Sequence, residues 1–447
     1  MRAGEGSLEA PTRHPVAWRS EEFWDRGDLH REMGRVFDIC HGCRRCVNLC
    51  DAFPSLFDLV DESDTMEVDG VDTADYQKVV DQCYLCDLCY MTKCPYVPPH
   101  EWNVDFPHLM LRAKAVQYRE HGAKLRDKVL TSTDKVFAAG AIPLVDITVN
   151  ALTGNRSFRR VFEATMGVHQ QAPVPKFHSK TMRKRLKKLA KEVGSGAPEP
   201  RVVGATTGKL ALYATCYGNY NSPQLGEDFA RVFQHNGVPM HIVRKEKCCG
   251  MPKLELGDLN TVEKLKNANI PILARLVDEG YDLTAPIPSC VLMYKQELPL
   301  LFPDEPDVAK VKDAFYDPFE YLWLRHKGGA LKTDFSRSMG AIAYQAACHQ
   351  RVQNIGPKTS DILKLIPGAE VNVQERCSGH DGTYAVKSET HDKSVKIARP
   401  VVRKVDQQQP DHFTSDCPMA GNQIAALSQH VERPEHPMTL LRMAYGL

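Results

Sequence analysis

Apolar positions follow two regimes along the chain. In the run Phe23 to Ile39, Leu29, Met33 and Phe37 recur at helical spacing, predicting an amphipathic helix that leads into a cysteine-rich loop. From Lys209 onward, short apolar runs alternate with amphipathic stretches. LALYA, starting at Leu210, reads as a buried strand ending near Cys216. Ser222-Pro223 offers an N-cap and a first-turn proline to a helix carrying Leu225, Phe229, Val232 and Phe233 on one face, and Asn236-Gly237 closes it. A strand from Met240 to Val243 then leads to Lys247-Cys248-Cys249-Gly250. A helix with Val262, Leu265, Ile272 and Leu276 follows, kinked at Pro271, before a short strand reaches Ile287-Pro288-Ser289-Cys290.

The same order recurs from Ala341. A strand (AIAY) runs to Cys348, a helix lies around Ile362 to Leu365, and a strand spans Val371 to Val373. Arg376-Cys377-Ser378-Gly379, a helix, and a strand to Cys417-Pro418-Met419-Ala420 complete it. Matching positions lie 132 (Cys216, Cys348), 129 (Cys248, Cys377) and 130 (Pro288, Pro418) residues apart. Near-constant offsets of this kind predict a tandem duplication of one α/β module. Each module sets cysteines at the C-terminal ends of strands, where α/β sheets gather their sites. The shared grammar is C…CCG…CPxC. Module one keeps Cys216, Cys248, Cys249 and Cys290, with Ile287 in the fifth place; module two keeps Cys348, Cys377 and Cys417, with Ser378 and Ala420 in the others.

Composition sharpens this picture in one respect. The 447 residues include 15 cysteines, while 57 Lys+Arg and 56 Asp+Glu nearly cancel and point to no nucleic-acid partner. The first twenty residues hold no apolar core of a secretory signal, and no run of 18 apolar residues occurs. The most apolar run, Val136 to Leu152, is broken by Pro143, Asp146 and Asn150 and reads as a packed or surface-lying helix. A cytoplasmic setting is therefore expected, in which cysteines serve metals rather than disulfides.

The densest cysteine pattern is Cys40-x2-Cys43-x2-Cys46-x3-Cys50 and, after 32 residues, Cys83-x2-Cys86-x2-Cys89-x4-Cys94-Pro95. Three thiolates spaced by two residues wrap three irons of one cube, and in two-cluster ferredoxins the distal cysteine of each run serves the other cluster. The expected ligand sets of two [4Fe–4S] clusters are Cys40, Cys43, Cys46 and Cys94, and Cys83, Cys86, Cys89 and Cys50. Paired zinc sites would leave the third cysteine of each run unexplained. Asp51 stands where proline usually follows the fourth cysteine, and one extra residue precedes Cys94; neither change removes a ligand. From Cys46 to Gln77 there are nine acids and no Lys or Arg, which suits docking of a basic redox partner or simply a solvated loop. The segment HSKTMRKRLKKLAK carries seven Lys/Arg in a basic amphipathic pattern, favouring a solvated linker and leaving peripheral contact with the inner membrane face open.

These motifs resemble the heterodisulfide reductase-related iron–sulfur family, which includes the iron–sulfur subunit of glycolate oxidase and a subunit of anaerobic glycerol-3-phosphate dehydrogenase. The resemblance covers the motifs at Cys40 to Cys94 and both cysteine-rich CCG modules; Cys377 to Tyr384 looks like the family's CCG-x-x-G-T-Y segment with one cysteine lost. It implies that the ferredoxin part relays electrons and that the CCG modules hold a further site. A noncubane cluster needs five cysteines, which neither module has. Module one's four thiolates suit a third Fe–S cluster or Zn. Module two has three thiolates; a fourth ligand could come from His349, His380 or His412, with His380 preferred because it follows Cys377-Ser378-Gly379 directly, and the alternative is an open iron position that binds substrate.

The expected architecture is an α+β multidomain chain: a disordered N-terminus (1–20), an α-helical ferredoxin-like 2x[4Fe–4S] domain (21–167), a linker (168–208), and two α/β CCG modules (209–330 and 331–447). The expected function is single-electron transfer through two [4Fe–4S] clusters between a CCG-domain metal site and a partner, a flavoprotein dehydrogenase or another redox protein such as a rubrerythrin-like one. The rivals are a reductase of a disulfide, peroxide or small oxidised substrate at the CCG site, and a structural zinc scaffold.

Overall fold

In the computed structural model, which describes residues 11–193 and 198–447, the chain is a mixed α/β protein whose strands form two parallel sheets. The first contains β1 (Leu210–Leu212), β2 (Met240–Ile242), β3 (Asp282–Thr284) and β4 (Phe315–Tyr316), in the order β2-β1-β3-β4. The second contains β5 (Ala341–Gln345), β6 (Glu370–Gln374) and β7 (His412–Ser415), in the order β6-β5-β7.

The duplication read from the cysteines is thus repeated in the topology. In each module the first strand is central, with the second and third parallel on either side: Leu210 aligns with Met240 and Asp282, and Ile342 with Val371 and His412. The second sheet has no named counterpart of β4. A single parallel bridge from Thr414 to Glu435 occupies the corresponding edge.

The predicted helices follow their apolar faces. Arg26–Cys43 buries Leu29, Met33, Val36 and Phe37, capped by the Asp25 carboxylate, which accepts from the Asp28 N–H at 2.6 Å. Gln224–His235 buries Leu225, Phe229, Val232 and Phe233. Leu259–Asp278 runs through Pro271 without ending there. The two modules share one core, in which Phe233, Leu212 and Tyr321 pack with Ile342, Tyr344 and Leu441. A second core joins Phe37, Phe53 and Met110 of the helical N-terminal region to Tyr213, Leu273 and Phe315 of module one. Burial across these boundaries makes the three regions one packed body.

Two expected loose segments are packed. Residues 1–10 of the expected disordered N-terminus lie outside the described residues, but residues from Pro11 onward are anchored. Trp18 is buried and donates its indole N–H to Leu301 O at 3.0 Å, and the Val16 N–H donates to Leu300 O at 2.8 Å. A Trp ring and a buried Arg13 are better reasons for order than the polar neighbours are for disorder. The expected linker holds a helix, Met182–Val193, whose Met182, Leu186 and Leu189 enter the core beside Phe229. Its apolar face is covered by module one, so that face is not free to enter a membrane.

The apolar run from Val136 breaks into Thr133–Gly140 and Val145–Gly154, bent by 101°. No single helix among the described residues is long and apolar enough to cross a membrane.

Candidate functional site

None of the fifteen cysteines is in a disulfide. Those of the two N-terminal runs collect into two groups. The Cys40 thiol is pushed well above its ordinary value by burial and then by the charges of Cys94, Cys46 and Cys43. Cys89 is pushed up by burial and then by Cys86, Cys83, Cys46 and Cys50. Cys94 thus lies within electrostatic reach of Cys40, Cys43 and Cys46, and Cys50 within reach of Cys83, Cys86 and Cys89. Cys46 and Cys89 bring the groups within electrostatic reach of each other. Buried, mutually repelling thiols do not ionise unaided; a metal centre that takes them as thiolates fits this donor set.

The departures around the runs have local causes. The Asp51 carboxylate pairs with Lys393 of module two at 2.5 Å, a partner proline would not supply. Lys114 donates to the carbonyl of Cys83 and lies 4.5 Å over the Tyr84 ring. Tyr84 meets Tyr384 edge to face at 5.1 Å, and the Tyr384 hydroxyl donates to Gln82 at 2.7 Å. The Gly-Thr-Tyr segment of module two thus docks on the cysteine loop of the helical region. Of the acids between Cys46 and Gln77, Asp61 pairs with Arg44 and His41 of the same loop system, and Glu62, Asp64, Asp69 and Asp72 are exposed.

Module one brings its four cysteines together. Cys248 is driven well below the ordinary thiol range, chiefly by a hydrogen bond from Cys216 and then one from Cys249. Cys249 in turn interacts with Cys290. Thr133, from the helical region, touches two of the sulfurs: the Cys216 thiol donates to its hydroxyl at 3.3 Å, and Cys248 Sγ lies 3.6 Å away. The Gly250 N–H also points at Cys248 Sγ (3.5 Å), with Gly250 at φ 102°, a conformation that suits glycine. Ile287, in the fifth position, is buried and offers no donor atom.

Module two repeats the turn: the Gly379 N–H donates to Cys377 Sγ at 3.3 Å, with φ 71°. The group nearest its thiols is not the expected histidine. Asp381, rather than His380, comes to the thiols: Cys348, Cys377 and Asp381 place their ligand atoms within 4.8 Å of one another. Cys417 lies outside that triad, though its thiol, pushed up to about 11 by burial, feels Asp381. His380 is held near pKa 4 by burial, and its Nδ1 is buried without a hydrogen-bond partner. His412 starts β7, at the end remote from Cys417, and pairs with Glu435 at 2.7 Å. His349 bridges all three regions, with Nδ1 2.8 Å from Ser289 Oγ and Nε2 3.4 Å from Leu85 O.

Both modules open onto one cavity of about 980 Å³, whose wall includes Cys216, Cys249, Cys290, Cys348, Cys417 and Asp381. Its far wall is apolar, from Val136, Phe137, Val149 and Phe162. Glu255 also faces it, half-buried, its carboxyl pushed up to about 8 by desolvation against the pull of Lys114. The second N-terminal group reaches this site directly: Cys50 and Cys86 both feel the charges of Asp381 and Cys377. Thr133, Asp381 and Glu255 carry no cysteine-like spacing, and the sequence reading passed over them. Only the Asp381 position, four residues after Cys377, gave a signal that could have been used.

A sequence model of the cysteine-rich domain, CCG, matches residues 210–295 and 342–425. The chain therefore carries two copies of that domain, in register with the two sheets. Among its homologues is a subunit of the anaerobic glycerol-3-phosphate dehydrogenase of Escherichia coli, 27% identical over 345 residues, covering 76% of this chain and 82% of the relative. An uncharacterized iron–sulfur protein of Methanocaldococcus jannaschii is 26% identical over 213 residues (47% of this chain, 40% of the relative). A subunit of the fumarate reductase (CoM/CoB) of Methanothermobacter marburgensis is 24% identical over 246 residues (53% and 46%).

Proposed function

We propose that the protein is the iron–sulfur electron-transfer subunit of a redox enzyme. Two [4Fe–4S] clusters, on Cys40, Cys43, Cys46 and Cys94 and on Cys50, Cys83, Cys86 and Cys89, sit in an α-helical ferredoxin-like domain and relay single electrons to or from the CCG sites. The observation that carries this reading is the continuity of sulfur sites: Cys89 lies within electrostatic reach of Cys46, and Cys50 and Cys86 within reach of Cys377. The relatives' names, subunits of a dehydrogenase and of a reductase, support a partner that performs the substrate chemistry, a flavoprotein dehydrogenase fitting best. Module one, with four thiolates, holds a further cluster or Zn.

Anaerobic purification with iron and sulfide analysis, followed by EPR of the reduced protein, tests this. The expected result is about eight irons from the N-terminal sets, lost in a Cys40→Ala, Cys83→Ala double variant. Fewer than about four irons in the reconstituted wild type overturns the reading.

A peripheral membrane contact is favoured by a separate observation. Ile142, Leu144, Ile147 and Leu152, on the bent pair 133–154, are 52%, 75%, 66% and 41% exposed. Apolar side chains gathered on one surface element suit a lipid interface.

A further inference from the structure

We propose that Cys348, Cys377 and Asp381 hold a single divalent transition-metal ion of the zinc(II) or iron(II) class, with its remaining coordination position open to the cavity between the modules. This goes beyond the electron-relay reading, because it stands whether or not the N-terminal cysteines carry clusters.

The first reason is spacing. Among the described residues this is the one group of three or more His, Cys, Asp or Glu side chains whose ligand atoms all lie within 4.8 Å of one another. Cys377 Sγ and the Asp381 carboxylate oxygen are 3.6 Å apart. Metal–sulfur bonds of about 2.3 Å and metal–oxygen bonds of about 2.0–2.2 Å put tetrahedral neighbours about 3.5–3.8 Å apart. A cube-shaped cluster binds each thiolate to a different iron and spreads them wider.

Backbone strain is the second reason. Asp381 has φ 28° and is followed by Gly382 at φ 55°, a left-handed turn that folds the carboxylate back toward Cys377. Non-glycine residues in this region cost on the order of 1–3 kcal/mol and persist where the surroundings over-determine them. Both glycines are packed tightly: a Cβ on Gly379 would meet Ser394 O at 2.2 Å, and one on Gly382 would meet Glu255 Oε2 at 2.2 Å.

Charge is the third. The Asp381 carboxylate lies 3.6 Å from Cys377 Sγ and close to Cys348, and no Lys or Arg forms an ion pair with it among the described residues. An anionic group beside two thiols and without a fixed cation is a place for a metal ion. Ser378, standing where module one has Cys249, explains why a carboxylate is needed: one thiolate has been lost from the turn.

Three protein ligands leave a tetrahedral ion one position for water or substrate, the arrangement of catalytic rather than structural sites. Cys348 and Asp381 both line the cavity, as does His380 with its unpartnered Nδ1. A small anionic or oxygen-bearing molecule is the class of ligand such a position takes. Cys86, which feels both Asp381 and Cys377, puts it within reach of the second N-terminal set.

The test compares wild type with Asp381→Asn and Asp381→Cys, all full-length and purified anaerobically from media enriched in zinc or in iron. Zinc, iron and acid-labile sulfide are counted per chain, and the N-terminal sets are followed separately by visible absorption and EPR. The expected result is that Asp381→Asn lacks one metal per chain with no loss of sulfide, or binds it at least about tenfold more weakly, since even outer partners of metal ligands are worth about 10–100-fold. Asp381→Cys restores the metal. The medium that supplies the missing equivalent distinguishes zinc from iron. Unchanged metal content and affinity in Asp381→Asn overturns the proposal, as does loss of metal together with matching sulfide. Loss of the N-terminal absorption and EPR with the Asp381-dependent metal retained would instead count against the relay reading.

Discussion

The guanidinium of Arg13 lies 2.6 Å from the carboxylate of Asp87, the residue between Cys86 and Leu88 in the second cysteine run. The same guanidinium pairs with Asp105 at 2.8 Å and faces Glu297 of module one at 3.6 Å. One side chain of the N-terminal arm thus joins the cysteine loop to the first CCG module. All three pairs are buried on the arginine side; removing the cation leaves Asp87 without an ion pair among the described residues, while His108 still pairs with Asp105 and Glu297. Arg13→Met is expected to destabilise the protein by about 3–5 kcal/mol. Denaturant unfolding followed by circular dichroism reads this.

The acid limb of stability follows from the same network. Asp105 is lowered to about 2 from 3.8; burial, its largest influence, opposes this and is overcome by His108 and Arg13. A depressed folded pKa means stabilisation that is complete above about pH 4 and is lost as pH falls toward 2. Asp105→Asn should therefore flatten the stability profile in that window.

Glu255 acts in the opposite sense. Its carboxyl titrates at about 8 in the fold against 4.5 ordinarily, so the folded state holds a proton that the unfolded state has released. Stability should fall as pH rises from about 4.5 to 8, and Glu255→Gln should remove that slope. A wild type and a variant with parallel profiles across this range would contradict the placement of the carboxyl against the cavity.

The Thr133 hydroxyl, from outside both modules, accepts from the Cys216 thiol and lies 3.6 Å from Cys248 Sγ; with both sulfurs as thiolates it becomes the donor to one of them. Hydrogen bonds to cluster sulfurs raise reduction potential. If module one carries the third cluster, Thr133→Val should lower the potential of that centre in an EPR-monitored titration while leaving the N-terminal potentials in place. The loss of stability should be small, about 1 kcal/mol.

The exposed side chains of the bent helix pair give a surface test. Leu144→Glu with Ile147→Glu should weaken co-flotation with anionic vesicles without changing thermal stability, because both positions are more than half exposed. Equal flotation of the variant would remove lipid from the account.

Much of this arrangement was legible before any coordinates. Strand and helix positions in the modules followed from alternating apolar runs, and the repeat offsets anticipated the matching sheet orders. The sequence misled where tertiary contacts override local character. Residues around Arg13 look polar and terminal, yet three carboxylates brought from distant segments fix them. Met182–Val193 reads as part of a solvated linker because the surface that covers Met182 and Leu186 lies on the Gln224–His235 helix. His380 was preferred among three histidines for its place directly after Cys377-Ser378-Gly379, and Asp381 was passed over; the positive φ at Asp381, which turns the carboxylate toward Cys377, has no sequence signature beyond the neighbouring glycines. The shared cavity was invisible for a similar reason, since its walls come from both modules and from the 133–177 region.

The proposed exchange of Cys50 and Cys94 between the two runs is the feature on which the relay depends, and paired cysteine variants test it most directly. Iron per chain should be counted in Cys50→Ser, Cys83→Ser and in Cys50→Ser, Cys40→Ser after identical anaerobic reconstitution. The first pair removes ligands of one cluster and should cost about four irons; the second strikes both and should cost about eight. The reverse order, or equal losses in the two pairs, would contradict it.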